Sequence, residues 1–367
     1  MLIKEQTLLD FFLLIGIRRS QKSQISRIQF LSILIIFLYS ISVTHYVFAN
    51  LNYIARYRSA EGLSYIFEAG NALLMWCSLI IKRKKILHML LKLFTYRKRY
   101  SIDKNRSRFV TILIIAVLFL FFGSYQALLC ISDTNSKTVV NFWTFNSNLP
   151  EGTLKLVILT LINVFQYTCY IFSISLSLIM SVLFYNFAEI LQIYKKKLQF
   201  HLRCQNKQEI MIILIDYFKI RKTISKLYHI LSYPTFFVVV FSFSCFFTST
   251  LVVLKYHEML TSHYLNLVDV CEDILTGFFV LVPYTVFSSR ITDNLFEIKQ
   301  TIQNELNELA CKQKQMYPEP VFECLRRIEK DEIAYISAGG LFHLSRGFIL
   351  TAVGTLLTYG LLIINLL

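Results

Sequence analysis

Seven charge-depleted stretches, residues 28–48, 63–81, 109–131, 156–185, 234–254, 267–287 and 347–367, constrain this chain more than any other feature. A helical crossing of a bilayer needs about 20 predominantly apolar residues, and none of the seven shows the period-two alternation of a lipid-facing strand. The expected fold class is therefore all-α, a polytopic membrane protein with seven transmembrane helices. Composition agrees: 55% of the 367 residues are hydrophobic and 17% charged, too apolar for a soluble chain of this length. The fourth stretch exceeds the required length and is expected to run past the bilayer.

The charges orient these spans. Residues 1–27, 82–108, 186–233 and 288–346 hold 5, 11, 9 and 8 of the 38 Lys and Arg. The opposite connections hold only Arg56, Arg58, Lys137, Lys155 and Lys255. By the positive-inside rule the N-terminus faces the cytosol, and seven crossings put the C-terminus outside. The net charge of +15 is thereby explained as an orientation signal and an attraction to anionic membrane lipids, with no nucleic acid as partner. The apolar run 8–17 contains Asp10 and precedes Arg18 and Arg19, which is the wrong order for a signal peptide. A helix lying on the membrane surface suits it better. The eight cysteines include no Cys-x-x-Cys pair, so neither a zinc site nor a disulfide framework is expected. Cys130 and Cys271, both near the outer boundary, are candidates for pairing if their helices are neighbours.

Two helical seams leave the bilayer on the cytosolic side. Ile213, Tyr217, Ile220, Ile224, Leu227 and Leu231 recur at heptad spacing and lead into the fifth span. Ile291, Leu295, Ile298, Ile302, Leu306 and Leu309 do the same after the sixth. Pro318 and Pro320 interrupt the pattern, and a second helix is expected over 321–336 before Gly339, Gly340 and the last span. Such stripes must be buried against each other or another subunit, or else lie flat on the inner leaflet. Their regularity favours a packed cytosolic bundle. The expected organisation is helices 1 to 6 over 1–287 (with bundle parts in 186–233), cytosolic anchor helices over 288–346, and a terminal helix over 347–367.

Enzyme signatures are missing from the sequence: there is no phosphate-binding glycine loop, His-Glu-x-x-His or Gly-x-Ser-x-Gly. No catalytic, metal or cofactor residues are assigned, and the chain is expected not to be an enzyme. Polar residues inside the spans are more telling, because hydrocarbon tolerates them only where they face a cavity or another helix. Under the assigned topology Glu68, Asn71, Tyr125, Gln126, Asn163, Gln166 and Tyr167 all fall in outer halves, and Asp269, Glu272 and Asp273 line the mouth of the sixth span above Thr276. Ordinary hydrogen bonding between helices is one reading of each residue. Together they suit an outward-open pocket for a small ligand, with Asp273 included.

The terminal stretch carries Thr351, Thr355, Thr358 and Asn365 on one helical face. Small residues for close packing are one reading, and a water-filled path past hydroxyls and an amide is the other. A single helix cannot enclose a pore, so the second reading requires several copies around an axis.

The run Thr358-Tyr359-Gly360-Leu361-Leu362-Ile363-Ile364-Asn365 resembles the Thr-Tyr, five apolar residues, Gln signature of the insect gustatory receptors. The approach over 336–344 resembles that family too, as do the length, the span count and the enlarged inner face. Asn365 and Leu366 stand where the family usually has Gln and Phe, which keeps amide for amide and apolar for aromatic. The resemblance implies a ligand-gated, nonselective cation channel in the plasma membrane of gustatory receptor neurons. It implies a homo- or hetero-tetramer with related receptors, a small-molecule tastant as ligand, and Thr351, Thr355, Thr358, Tyr359, Asn365 and Leu366 as pore and gate residues. The terminal motif differs from that of sugar-responsive members and favours bitter or aversive compounds. A metabotropic seven-helix receptor and a small-molecule transporter are the alternatives from other classes.

Overall fold

The computed structural model describes residues 27–57, 60–99, 153–204, 207–260, 264–311 and 317–352, together with 354, 355 and 358. Five long helices dominate: α1 (Arg27–Tyr57), α2 (Ala60–Arg99), α3 (Thr153–Cys204), α4 (Lys207–Leu260) and α5 (Tyr264–Cys311). A short α6 (Glu319–Lys330) and two strands, β1 (Ser337–Ala338) and β2 (Phe342–His343), precede a helical segment that begins at residue 346.

The three central helices contain 52, 54 and 48 residues. At 1.5 Å per residue they run about 72–81 Å, more than twice a hydrocarbon core of about 30 Å. Each is therefore a bilayer-length apolar part continued without a break into an amphipathic extension. Among the described residues three helices are long and apolar enough to cross a membrane, within Ser173–Cys204, Lys207–Val253 and Val270–Cys311. The stretch 109–131 lies outside the described residues.

Both seams are buried. Ile220, Ile224, Leu227 and Leu231 of α4 and Ile291, Ile298 and Ile302 of α5 are fully covered, and the other seam residues are nearly so. They join one continuous core with Phe184, Phe187, Leu191, Tyr194 and Leu198 of α3. The extensions thus use their apolar stripes against each other within a single protomer, as heptad spacing requires.

Hydrogen bonds fix how the helices run. Ser177 Oγ donates to the Val280 carbonyl, Asn294 Nδ2 to the Ala188 carbonyl, Lys195 Nζ to Glu297, and Gln199 Nε2 to the Thr301 hydroxyl. These partners are 103, 106, 102 and 102 residues apart, so α3 and α5 lie parallel with one register along their length. In contrast, α4 is antiparallel to α5, through Thr235–Tyr284 and Ser249–Val270. It is also antiparallel to α2, through Glu68–Thr248 and Tyr96–Thr223. Edge-to-face pairs Tyr39–Trp76 and Tyr46–Tyr65 join α1 to α2.

Two expectations are corrected at the chain's C-terminal end. The helix expected over 321–336 starts at Glu319 behind Pro318, with Pro320 in its first turn, and stops at Lys330. Proline suits a first turn, whose amides lack partners in any case. The stop falls where Asp331 leaves helical geometry: its carboxylate takes Arg221 of α4, and its carbonyl accepts from Lys299 Nζ of α5. The approach to the last span is also not wholly helical. β1 and β2 pair antiparallel, Ser337 with His343 and Ala338 with Phe342, around a turn in which Gly339 and Gly340 have φ of 63° and 82°. Side chains rarely adopt that conformation, which accounts for the two glycines. The all-α description therefore holds with one two-residue hairpin added.

Candidate ligand site and terminal helix

Glu68 and Asn71 are one turn apart and so share a face of α2. Both are buried. The Thr248 hydroxyl of α4 shares its single proton between Glu68 Oε1, in a short bond, and the Ser244 carbonyl. Backbone bonding of this kind is how Thr and Ser are accommodated in apolar helices. Here the same hydroxyl serves a second helix as well. Ser249 donates to the Cys245 carbonyl and reaches the Val270 carbonyl of α5 at 3.5 Å. Opposite it, α5 brings Glu272, Asp273 and Thr276, all buried. Glu68, Asp273 and Glu272 lie within electrostatic reach of the fully buried Cys245 thiol.

Close approach of α4 and α5 makes this convergence geometrically feasible. A Cβ on Gly277 would meet the Ser242 carbonyl oxygen and the Phe246 ring at 3.1 Å. Any side chain there would push the acidic face of α5 away from α4. The three helices contribute from matching ends, the starts of α2 and α5 and the final turns of α4, as their antiparallel order dictates.

Of the residues read from sequence as pocket-lining, Glu68, Asn71 and Asp273 are thus brought together. Asn163, Gln166 and Tyr167 fall on α3, with side chains outside the described residues. Tyr125, Gln126 and Cys130 are outside them altogether, as is the side chain of Asp269, while Cys271 is exposed. Sequence reasoning missed Cys245, Thr248 and Ser249. Their i, i+3, i+4 spacing within the Phe-rich run 241–250 was the available signal.

The terminal helix is held at its base. Phe348 stacks on Phe342 of the hairpin at 5.1 Å and meets Phe243 of α4 edge-on at 6.4 Å, while Arg346 pairs with Asp293 of α5 at 2.7 Å. Beyond this base Thr351, Thr355 and Thr358 are exposed on the protomer, whereas Ala352 is buried against it. Each threonine hydroxyl donates to the carbonyl four residues earlier, which leaves oxygen lone pairs along one stripe. Tyr359, Asn365 and Leu366 lie outside the described residues.

No protein-family model matches the sequence, and no curated protein matches it. Solved structures do resemble the fold. One is the insect olfactory receptor OR5 from Machilis hrabei in complex with eugenol, at TM-score 0.71 and 16% identity, over 99% of this chain and 98% of that one. A second structure of the same receptor gives TM-score 0.66 and 14% identity, over 100% and 99%. From end to end, the chain has an insect olfactory receptor-like fold.

Proposed function

We propose that the chain is a chemosensory receptor and is itself a ligand-gated, nonselective cation channel. It works as a tetramer in the plasma membrane of gustatory receptor neurons and detects small, bitter or aversive taste molecules. The observation that carries this reading is the near-complete overlap with a receptor fold that accepts a small aromatic ligand, eugenol. The Thr358-to-Asn365 run favours taste over smell.

Seven crossings are supported by helix direction: α2 and α3 both run antiparallel to α4, so a crossing between them restores the order. The threonine stripe favours a central pore, because Thr351, Thr355 and Thr358 face away from their own protomer. Ligand bound among Glu68, Asn71, Asp273 and the outer parts of the neighbouring helices need not touch that pore. It opens the channel to the extent that it binds the open arrangement more tightly than the closed one.

Purified protein in a planar lipid bilayer tests this. The expected result is ligand-evoked unitary current, with basal current or ion selectivity altered in Asn365→Ala and Leu366→Ala. A membrane protein that binds ligand and never conducts alone is a metabotropic receptor, and saturable uptake without unitary conductance is a transporter. Unchanged currents in both variants, at normal incorporation, would remove the pore assignment.

A further inference from the structure

Past its apolar stretch α2 continues as a helix through residues 82–99, with eight Lys and Arg and no acid. Ile86, Met89, Leu90 and Leu93 of this extension join the core, while Lys84, Lys85 and Lys98 are exposed. An acidic protein that clasps an amphipathic helix needs its apolar face, and here that face is used internally. What the outer face offers is charge.

Elsewhere on the extensions the cations have acids: Lys195 has Glu297, Lys219 has Asp216, Arg221 has Asp331 and Arg346 has Asp293. Among the described residues no acid pairs with any Lys or Arg of 82–98, nor with Lys222 or Lys226 of α4. The helices that carry them meet. The Tyr96 hydroxyl lies 3.3 Å from that of Thr223. Lys92 is one turn before Tyr96 and Lys226 one turn after Thr223, so in this antiparallel pair the two cations share a level and the faces that meet. Followed back toward Glu68 and Thr248, the same offset sets Lys84 and Lys85 level with Tyr233, which is 59% exposed just before Pro234. An exposed tyrosine at the end of an apolar span suits the membrane boundary.

The unpaired cations therefore form two layers. Lys85 and Lys92 are seven residues apart, about 10 Å along the helix. The headgroup region of a bilayer is only about 5–7 Å deep on each side, so a lipid with a single phosphate meets the upper layer alone. A headgroup that carries further phosphates on a ring projecting from the membrane reaches both.

We infer that α2 and α4 form a site for an inositol lipid of the cytosolic leaflet phosphorylated on its ring, with Lys84 and Lys85 at the phosphodiester and Lys92 and Lys226 at the ring phosphates. The inference uses the cytosolic placement of 82–108 and is independent of what the channel detects.

A fluorescent short-chain phosphatidylinositol 4,5-bisphosphate, titrated against full-length protein in phosphatidylcholine nanodiscs with empty nanodiscs as the blank, tests the site. Unlabelled bisphosphate should compete about tenfold or more strongly than short-chain phosphatidylserine, the scale of added charge-assisted bonds. Lys92→Gln with Lys226→Gln should weaken the bisphosphate about tenfold and leave phosphatidylserine unchanged, which also shows that this variant is folded. Lys84→Gln with Lys85→Gln should weaken both lipids. Lys196→Gln with Lys330→Gln removes the same charge from exposed positions of α3 and α6, and should change bisphosphate binding by less than about twofold. Competition by the two lipids within about threefold of each other overturns the inference. So does an equal loss in the Lys92/Lys226 and Lys196/Lys330 variants, which is the behaviour of net charge without a site. Free inositol 1,4,5-trisphosphate binding as tightly as the lipid would assign these cations to a soluble polyphosphate and overturn the lipid. All of these are binding measurements, so their outcome stands apart from whether the protein conducts.

Discussion

The hydroxyl of Thr235, the residue after Pro234 in α4, lies 2.5 Å from that of Tyr284, the residue after Pro283 in α5. Each proline removes one bond from its helical ladder, and the two weakened points face each other across a buried bridge. Thr235 also donates to the Leu231 carbonyl at 2.7 Å, and the Tyr284 ring sits edge-on to Phe184 at 5.1 Å. Tyr284→Phe leaves Thr235 satisfied and should cost about 0.5–1.5 kcal/mol. Thr235→Val strands a buried phenol and should cost more, about 1–3 kcal/mol. Thermal unfolding of both variants and the double variant checks the order, and a reversed order removes the bridge.

Glycines in two settings should respond differently to alanine. At Gly277 the conformation is helical and the cost is crowding, since the 3.1 Å contacts are to the Ser242 carbonyl and the Phe246 ring. Gly277→Ala should destabilise by about 1–3 kcal/mol, with partial rescue by Phe246→Leu. At Gly340, φ is 82° and a Cβ meets nothing within 4 Å, so the cost of Gly340→Ala is conformational, about 1–2 kcal/mol. No second change that makes room should rescue it. Unfolding of Gly277→Ala, Gly277→Ala with Phe246→Leu, and Gly340→Ala distinguishes the two causes.

Arg221 of α4 anchors the chain after α6. Its guanidinium meets the Asp331 carboxylate in a short contact and donates to the Glu332 carbonyl at 2.8 Å. Arg221→Ala leaves both oxygens without this donor and should cost about 1–3 kcal/mol. Arg221→Lys keeps the charge and loses the fork, and should fall between. Hydrogen exchange over 319–345 reads the effect directly, and unchanged exchange in Arg221→Ala would show that the anchor lies elsewhere.

Tyr317, just before α6, is buried and donates to Glu305 Oε1 at 2.9 Å. Burial, then the bond to Glu305 and its charge, hold its phenol above the ordinary tyrosine value of 10.0. Above that pH the unfolded chain releases this proton while the folded chain keeps it, so the folded state binds more protons and stability falls as pH rises. The contribution is fully present below pH 10. Tyr317→Phe should lose the bond at neutral pH and lack this alkaline decline, as urea unfolding between pH 8 and 11 would report.

Periodic features were legible in the sequence and singular ones were not. Residues such as Ile220, Ile224, Leu227 and Leu231 announced a covered seam, because only a buried stripe explains apolar groups every three and four positions in a charged segment. Glu68 announced itself by being charged within an apolar run. Its partner Thr248 did not, since threonines in such helices commonly bond only their own backbone. The hairpin at 337–343 was equally hidden: strands of two residues carry no period, and only Gly339-Gly340 marked the turn. The end of α6 depended on Arg221 and Lys299 arriving from other helices to take Asp331, which local pattern cannot reveal.

The bonds between α3 and α5 have a mechanical consequence. Ser177 and Gln199, the outermost α3 donors, are separated by about 33 Å at 1.5 Å per residue. A one-turn slip between the helices would have to break every one of these bonds together. The two behave as a keyed shaft: displacement applied beside the buried acids arrives at the far extension without being absorbed by sliding, so bending falls to the proline-marked stretch of α4.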